Sequence, residues 1–99
     1  MAIDLIPLSP IPSQTITVTL SNQLCEITLN QKENGLYFSL ISDTRPIVKY
    51  IICQNGNYLI RYSYLKFIGD FYFVDMQGSE SPSYYGLGQR WILIYEDSP

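Results

Sequence analysis

Asp70 and Asp75 are the residues whose types and spacing first suggest chemistry, because two carboxylates at one site can act as general acid and general base. They lie five residues apart in a segment with the alternation of a strand, and an odd spacing on a strand sends two side chains to opposite faces. No further group is predicted to separate their pKa values. The simpler interpretation is that Asp70 forms a tight turn with Gly69, while Asp75 caps the loop that begins at Gln77-Gly78.

Nucleophilic catalysis lacks its usual base in this chain, because the sequence contains no histidine. Serine and cysteine nucleophiles are normally activated by a neighbouring histidine. The segment Gly86-Leu87-Gly88-Gln89-Arg90 is similar to a phosphate-binding loop, but it lacks a third glycine and a following helix. The sequence therefore predicts a protein that is not an enzyme and binds no nucleotide cofactor.

A metal site is not expected either, because the residues that usually ligate metals are scarce or scattered. Cys25 and Cys53 are far apart in the sequence, and acidic residues such as Glu80 and Asp97 are typical of solvated loops and tails. The two cysteines could pair, but the lack of an export signal favours two buried thiols. We expect no metal and no other cofactor.

Charge and hydropathy argue against two further classes of partner. A formal net charge of −3 disfavours nucleic acid, since affinity for phosphates comes from clustered cations. There is no run of about 18 apolar residues, so no membrane span is expected. Asp4 and the prolines from Pro7 onward are not typical of a secretory signal, and we expect the chain to stay in the compartment where it is made.

Alternating apolar and polar residues, separated by short turns, predict an all-β fold. The predicted strands cover residues 14–20, 24–31, 36–41, 47–54, 58–67, 71–76 and 91–95. We expect a small antiparallel β-barrel or sandwich of about seven strands over residues 14–99, preceded by an extended proline-rich N-terminal arm at residues 1–13. The arm is too apolar to lie free in water, so it should lie across its own domain or across a neighbouring subunit.

Apolar and aromatic side chains exceed what one small core can cover. Hydrophobic residues make up 46% of the sequence, charged residues only 15%, and nine residues are tyrosine. Tyrosine-rich surfaces are typical of protein interfaces, although the same residues could fill the core or stack on a sugar or nucleotide. We predict a protein interface that includes Ile6, Leu8, Ile11, Arg61, Tyr62, Tyr64, Tyr84, Tyr85 and Arg90.

Four segments together carry a family resemblance. They are the proline-rich Ile6–Thr15, the Arg45-Pro46-Ile47 turn, the block Tyr62–Gly78 with Gly-Asp-Phe-Tyr-Phe-Val-Asp, and Pro82–Trp91 with Tyr-Gly-Leu-Gly-Gln-Arg. They resemble the small baseplate plug proteins of contractile-tailed bacteriophages of the myovirus type, and the similarity covers nearly the whole chain.

The resemblance implies a non-enzymatic structural protein of the virion, located at the centre of the tail baseplate. Its implied partners are the hub, spike and tube-proximal proteins of a multi-chain assembly, which forms in the cytoplasm of the bacterial host. The alternative, from another class, is a small carbohydrate-binding module of a receptor-binding tail protein, in which tyrosines or Trp91 would stack on a sugar.

Overall fold

A computed structural model of the chain describes residues 3–60 and 67–97, and nearly all of its regular structure is β-strand. Besides one 3-10 turn at Tyr84–Gly86, the elements of this described part are β1 (Ile3–Ile6), β2 (Ser13–Leu20), β3 (Gln23–Lys32), β4 (Gly35–Ser42), β5 (Arg45–Ile52), β6 (Asp70–Asp75) and β7 (Trp91–Glu96). They form two antiparallel sheets, one with the order β2-β3-β4-β5 and one with the order β1-β7-β6. The predicted all-β fold is confirmed. No helix within the described residues has the length and apolar character needed to cross a membrane.

Two of the three hairpins in the four-stranded sheet turn through residues with left-handed backbone. Ser21 and Asn22, with φ of 50° and 60°, join β2 to β3, and Asp43 and Thr44, with φ of 49° and 68°, join β4 to β5. Positive φ at both central residues gives a two-residue turn the twist that matches antiparallel strands. The Asp43 carboxylate also accepts the N–H of Leu24 at 3.0 Å, which fixes the second turn against β3.

β5 differs from the predicted strand at residues 47–54. It spans Arg45–Ile52, because the turn before it has only two residues and Pro46 enters the strand. A proline is tolerated there since β5 lies at the edge of the sheet. The register against β4 shifts twice, and the N–H of Tyr50, whose φ is 54°, donates to the hydroxyl of Ser39 at 3.0 Å.

The proline-rich arm begins as a strand. Residues Ile3–Ile6 pair with β7, with Ile6 opposite Leu93, so this part of the arm lies on its own domain. The strand ends where Pro7 follows, because proline has no N–H to donate to a ladder and restricts the residue before it.

The chain crosses from one sheet to the other after β5. The amide of Cys53 still donates to β4, whereas the amides of Gly56 and Leu59 donate to carbonyls of β6 at 2.8 and 2.9 Å. Residues 55–59 therefore line the edge of β6. The strand predicted at residues 58–67 is wrong at 58–60, which are not in a strand, and residues 61–66 lie outside the described residues.

Aromatic side chains fill the space between the two sheets. The rings of Phe38 on β4 and Phe71 on β6 are 5.3 Å apart, and Phe71 lies 5.1 Å from Tyr95 on β7. Tilted ring pairs of this kind add to the stabilisation that comes from apolar burial. Within the part of the chain that the structure describes, the sheets stay separate, so the fold is the sandwich rather than the barrel.

Cys25 and Cys53 are free thiols buried in this core. Burial raises the pKa of Cys25 to about 11, and it also raises the pKa of Cys53. The thiolate is the reactive form of cysteine, so both residues are protected by lack of access and by lack of ionisation. The prediction of two buried thiols is confirmed.

We expect neither thiol of the native protein to react with Ellman's reagent at about pH 8, where an exposed cysteine is partly ionised. Both should react once guanidinium chloride unfolds the chain, and absorbance at the thionitrobenzoate band measures this directly. Rapid reaction of either thiol without denaturant would contradict the packing described for the core.

We expect Phe73→Ala to lower the free energy of unfolding by about 2 to 5 kcal/mol, since Phe73 is fully buried between the sheets. Met76→Ala is the control, because Met76 is exposed directly after β6, and its effect should stay within about 0.5 kcal/mol. Urea unfolding followed by circular dichroism measures both, and equal losses would mean that the core is wrongly placed.

Candidate functional site

One carboxylate organises the loop between β6 and β7. Asp75 ends β6, and its side chain is inaccessible to solvent. Its oxygens accept the N–H groups of Gln77 and Glu80, each at 2.9 Å, and the Nε and Nη2 groups of Arg90, both at 2.8 Å. The prediction that Asp75 caps the loop is confirmed. Its carboxylate oxygens accept hydrogen bonds from both ends of that loop and hold it in place.

Arg90 is held from three directions. Besides its paired contacts with Asp75, its Nη2 lies 3.1 Å from Glu80 Oε2, and its Cζ lies 4.5 Å from the centroid of the Trp91 ring. The hydrogen bonds and charge of Arg90 hold the pKa of Asp75 well below its usual range, and Asp75 raises the pKa of Arg90. The sequence predicted Arg90 only as an interface residue, whereas these contacts give it a structural role within the chain. Its contact with a partner stays a prediction.

The Asp70 carboxylate likewise accepts hydrogen bonds from backbone N–H groups. Its buried Oδ1 accepts the N–H of Phe71 at 2.7 Å and that of Ile60 at 2.8 Å. Asp70 belongs to β6, and the turn before it is made with a φ of 100° at Gly69. The two carboxylates of β6 thus serve opposite ends of the strand, and the described residues contain no cluster of acidic and cysteine side chains that could hold a metal.

The glycines of Gly86-Leu87-Gly88 make room for packing. A Cβ added at Gly86 would lie 2.5 Å from the ring of Trp91, and one added at Gly88, where φ is 82°, would collide with the carbonyl oxygen of Leu8. Leu87, between them, is fully buried. The motif therefore brings the loop against the arm and β7, and this packing accounts for it without a phosphate ligand.

The arm and this loop meet at one end of the sandwich. The carbonyl of Pro12 accepts the N–H of Gln31 at 2.8 Å, and Gln31 Oε1 accepts the N–H of Tyr84 at 3.1 Å. The ring of Tyr85 stands edge-on to Trp91 with 5.4 Å between centroids. We call this end the arm–loop surface and define it by Leu8, Ile11, Pro12, Gln31, Tyr84 and Tyr85.

Several predicted interface residues lie at this end, at different depths. Tyr85 is 62% exposed, Ile11 is 44% exposed and Tyr84 is 37% exposed. Leu8 is partly buried against the core, and Ile6 packs inside it with 4% exposed.

Three other predicted interface residues, Arg61, Tyr62 and Tyr64, lie outside the described residues. Their interface role stays a prediction.

A second apolar surface, which the sequence did not single out, covers the outer side of the three-stranded sheet. The register places Leu5 opposite Ile94, Ile94 opposite Tyr72, and Ile92 opposite Val74. Leu5 is 67% exposed, and the other four are half-buried. We call these five residues the outer face.

Tyrosine hydroxyls rim the outer face. Tyr58 and Tyr72 form an edge-to-face pair with 5.5 Å between ring centroids, and the Tyr58 hydroxyl lies 3.3 Å from Glu96 Oε2. A hydrogen bond to Glu96, with burial, raises the pKa of Tyr72 to about 12, so its hydroxyl stays neutral at physiological pH. An apolar centre with a polar rim is typical of protein interfaces.

The sequence carried a signal for the outer face, because β6 and β7 are apolar on both sides. That pattern is typical of strands covered on two faces. The pairing of β7 with β1 and with β6 assigns individual residues to the outer face, and this pairing was not predicted.

A comparison with protein families finds a match over nearly the whole chain. A family described as "Cyanophage baseplate Pam3 plug gp18" matches residues 3–98. No curated protein matches the chain in sequence. The family match confirms the resemblance found in the sequence, and it gives no support to the alternative of a carbohydrate-binding module.

We expect the Asp75–Arg90 pair to make stability depend on pH in the acid range. Because the pKa of Asp75 is lowered in the folded protein, its contribution is fully present above about pH 5 and is lost as the pH falls through the folded value. Asp75→Asn removes that contribution. The variant should be less stable at neutral pH, and its unfolding free energy should change less than that of the wild type between about pH 5 and pH 2.

Glu33→Gln is the matched control, since it removes one carboxylate from an exposed turn. Urea unfolding at a series of pH values should give this control the pH profile of the wild type. If Asp75→Asn also kept the wild-type profile, the ion pair would have no role in stability.

Proposed function

Since the chain belongs to the cyanophage baseplate plug family and is a structural component of a phage baseplate, we propose that it is the plug at the centre of the tail tip and contacts hub and spike proteins. The family match over residues 3–98 carries this proposal. The family also gives the location, the virion tail. We propose that the chain reaches this place from the cytoplasm of the host during assembly of the baseplate.

The internal use of polar side chains supports a role without catalysis. Asp70, Asp75 and Arg90 hold backbone groups and loop ends within the chain. Polar groups that do chemistry on a ligand need free donors or acceptors that converge on an open site. We therefore propose that the protein is not an enzyme.

Two surfaces of the chain are suited to the hub and spike contacts. The arm–loop surface offers the exposed side chains of Ile11, Tyr84 and Tyr85, and the outer face offers a larger group of aliphatic residues with tyrosines at its rim. Aromatic and apolar residues with few charges are what the centres of protein interfaces contain.

The loop that carries the tyrosines is held before any partner binds. Asp75 and Arg90 join its two ends, and the indole N–H of Trp91 donates to the carbonyl of Glu80 at 3.0 Å. A surface that is already ordered loses less conformational entropy on binding, so more of the contact energy remains as affinity.

Association with the tail hub protein of the same phage tests this proposal. We expect Leu5→Lys, on the outer face, and Tyr85→Ala, on the arm–loop surface, each to weaken hub binding at least about tenfold, as replacement of buried interface residues does. Biolayer interferometry with the purified hub measures this. Melting temperatures should stay near the wild-type value, since both side chains are mostly exposed.

Leu24→Lys is the matched control for Leu5→Lys, because Leu24 is similarly exposed but lies on the other sheet. It should bind the hub as the wild type does. A wild-type chain that does not bind the hub would refute the proposed contact, and equal losses in all three variants would refute the proposed surfaces.

A further inference from the structure

The free sheet edges of this protein differ in how well they are protected against pairing with a strand of another chain. Within residues 3–60 and 67–97, the strands with an unpaired edge are β1, β2 and β5, since residues 55–59 line β6. An exposed edge can pair with another chain, and proteins usually prevent this with bulges, prolines, charges or short strands. β5 has two register shifts, Pro46 and Lys49, and β1 has only four residues, one of them Asp4.

β2 has none of these protections. It is eight residues long, Ser-Gln-Thr-Ile-Thr-Val-Thr-Leu, with no charged residue and no proline, and its register with β3 runs from Ser13 to Leu20 without a shift. A long, regular and uncharged edge strand is what a further strand needs in order to pair.

The turn geometry decides which groups of β2 face that edge. Leu20 and Gln23 flank the two-residue turn, so they exchange hydrogen bonds with each other, and bonded pairs then recur at every second residue. The N–H and C=O groups of Thr15, Thr17 and Thr19 therefore point away from β3. Among the described residues, no backbone hydrogen bond outside the strands reaches them.

The inner side of β2 is also incompletely covered. Ile16 and Val18 point toward the core but are only partly buried, whereas their partners on β3, Ile27 and Cys25, are fully buried. The three-stranded sheet thus leaves the margin of the larger sheet partly open, and another strand beside β2 would cover these side chains.

We propose that β2 pairs antiparallel with β2 of a second copy of this chain, which joins the two four-stranded sheets into one continuous sheet. A two-fold axis at Thr17 sets Thr17 opposite itself and Thr15 opposite Thr19, which are the residues with outward backbone groups. On the inner side it sets Ile16 opposite Val18. β2 can pair with its own copy because it has no charged residue. Self-pairing of β1 would bring two Asp4 side chains together, and self-pairing of β5 would bring two Lys49 side chains together, so like charges would repel.

Sedimentation velocity of the full chain over a range of concentrations tests this proposal. We expect a dimer of the wild type that dissociates on dilution. Thr17→Pro removes an N–H that the fold does not use, so the variant should keep the wild-type circular dichroism while its dimer dissociates at least about ten times more readily. The amides of Thr15, Thr17 and Thr19 should exchange with deuterium slowly in the wild-type dimer, and those of Thr15 and Thr19, which the variant keeps, should exchange fast in Thr17→Pro.

A second variant keeps the test decisive if the proline disturbs the strand. Thr17→Lys sets two like charges across the axis, so it should weaken the dimer at low salt and less so at high salt. Ser79→Lys adds the same charge to an exposed loop and should dimerise as the wild type does.

The proposal is overturned by a wild-type chain that stays monomeric at the highest concentration reached. It is equally overturned if Thr17→Pro and Thr17→Lys dimerise like the wild type, since the copies would then meet through another surface. These outcomes are independent of hub binding, which concerns other parts of the molecule.

Discussion

Each of the two small sheets covers one face of the other and leaves the second face open. This constraint determines most of the surface that the molecule exposes. The inner faces meet in an aromatic core around Phe38, Phe71 and Tyr95. The opposite side of β6 and β7 is nearly as apolar, yet Leu5, Tyr72 and Ile94 remain partly in water there. In larger proteins a helical layer covers such strands. In a baseplate component, burial of the outer face by another protein would supply that second layer.

Three charged residues of the described chain, Asp70, Asp75 and Arg90, hold its loops in place. Asp75 and Arg90 join the ends of a loop that has no regular structure apart from one 3-10 turn, and Asp70 ties Ile60 to the start of β6. A carboxylate satisfied by several donors in a dry site is costly to protonate or remove, so these contacts fix loop geometry that hydrophobic packing alone would leave undetermined.

The alternation of apolar and polar residues predicted β2, β3 and β4 of the four-stranded sheet well, because their hairpins are local and β3 and β4 each bury one face. In β3, Cys25, Ile27 and Leu29 are buried as the pattern indicated. The same reasoning missed β1, since prolines argued against a sheet, although Ile3–Ile6 precede the first of them. Pairing of β1 with β7 joins opposite ends of the sequence, and no local pattern specifies so distant a contact.

The sequence predicted that the protein has an apolar and aromatic interface, but it did not predict which residues form each surface. Composition predicted more apolar and aromatic side chains than one core can cover. Tyr84 and Tyr85, which were predicted to belong to an interface, are exposed, and their contact with a partner stays a prediction. Arg90 was different, since a single arginine beside a glycine loop gives no sign that its partner lies fifteen residues earlier, at Asp75. Ion pairs depend on tertiary geometry, and a sequence without aligned relatives carries no trace of them.

Contacts through side chains and contacts through a strand edge place different demands on a small protein. The backbone of an edge strand is the same in every protein, so strand addition gives affinity with little selectivity, whereas a shaped apolar surface with fixed tyrosines selects its partner. The outer face belongs to the three-stranded sheet and β2 to the four-stranded one, so neither contact competes for the residues of the other. Pairing with its own copy would also occupy the one long unprotected edge of the described chain, and that removes the place where an unrelated strand could most easily add during assembly.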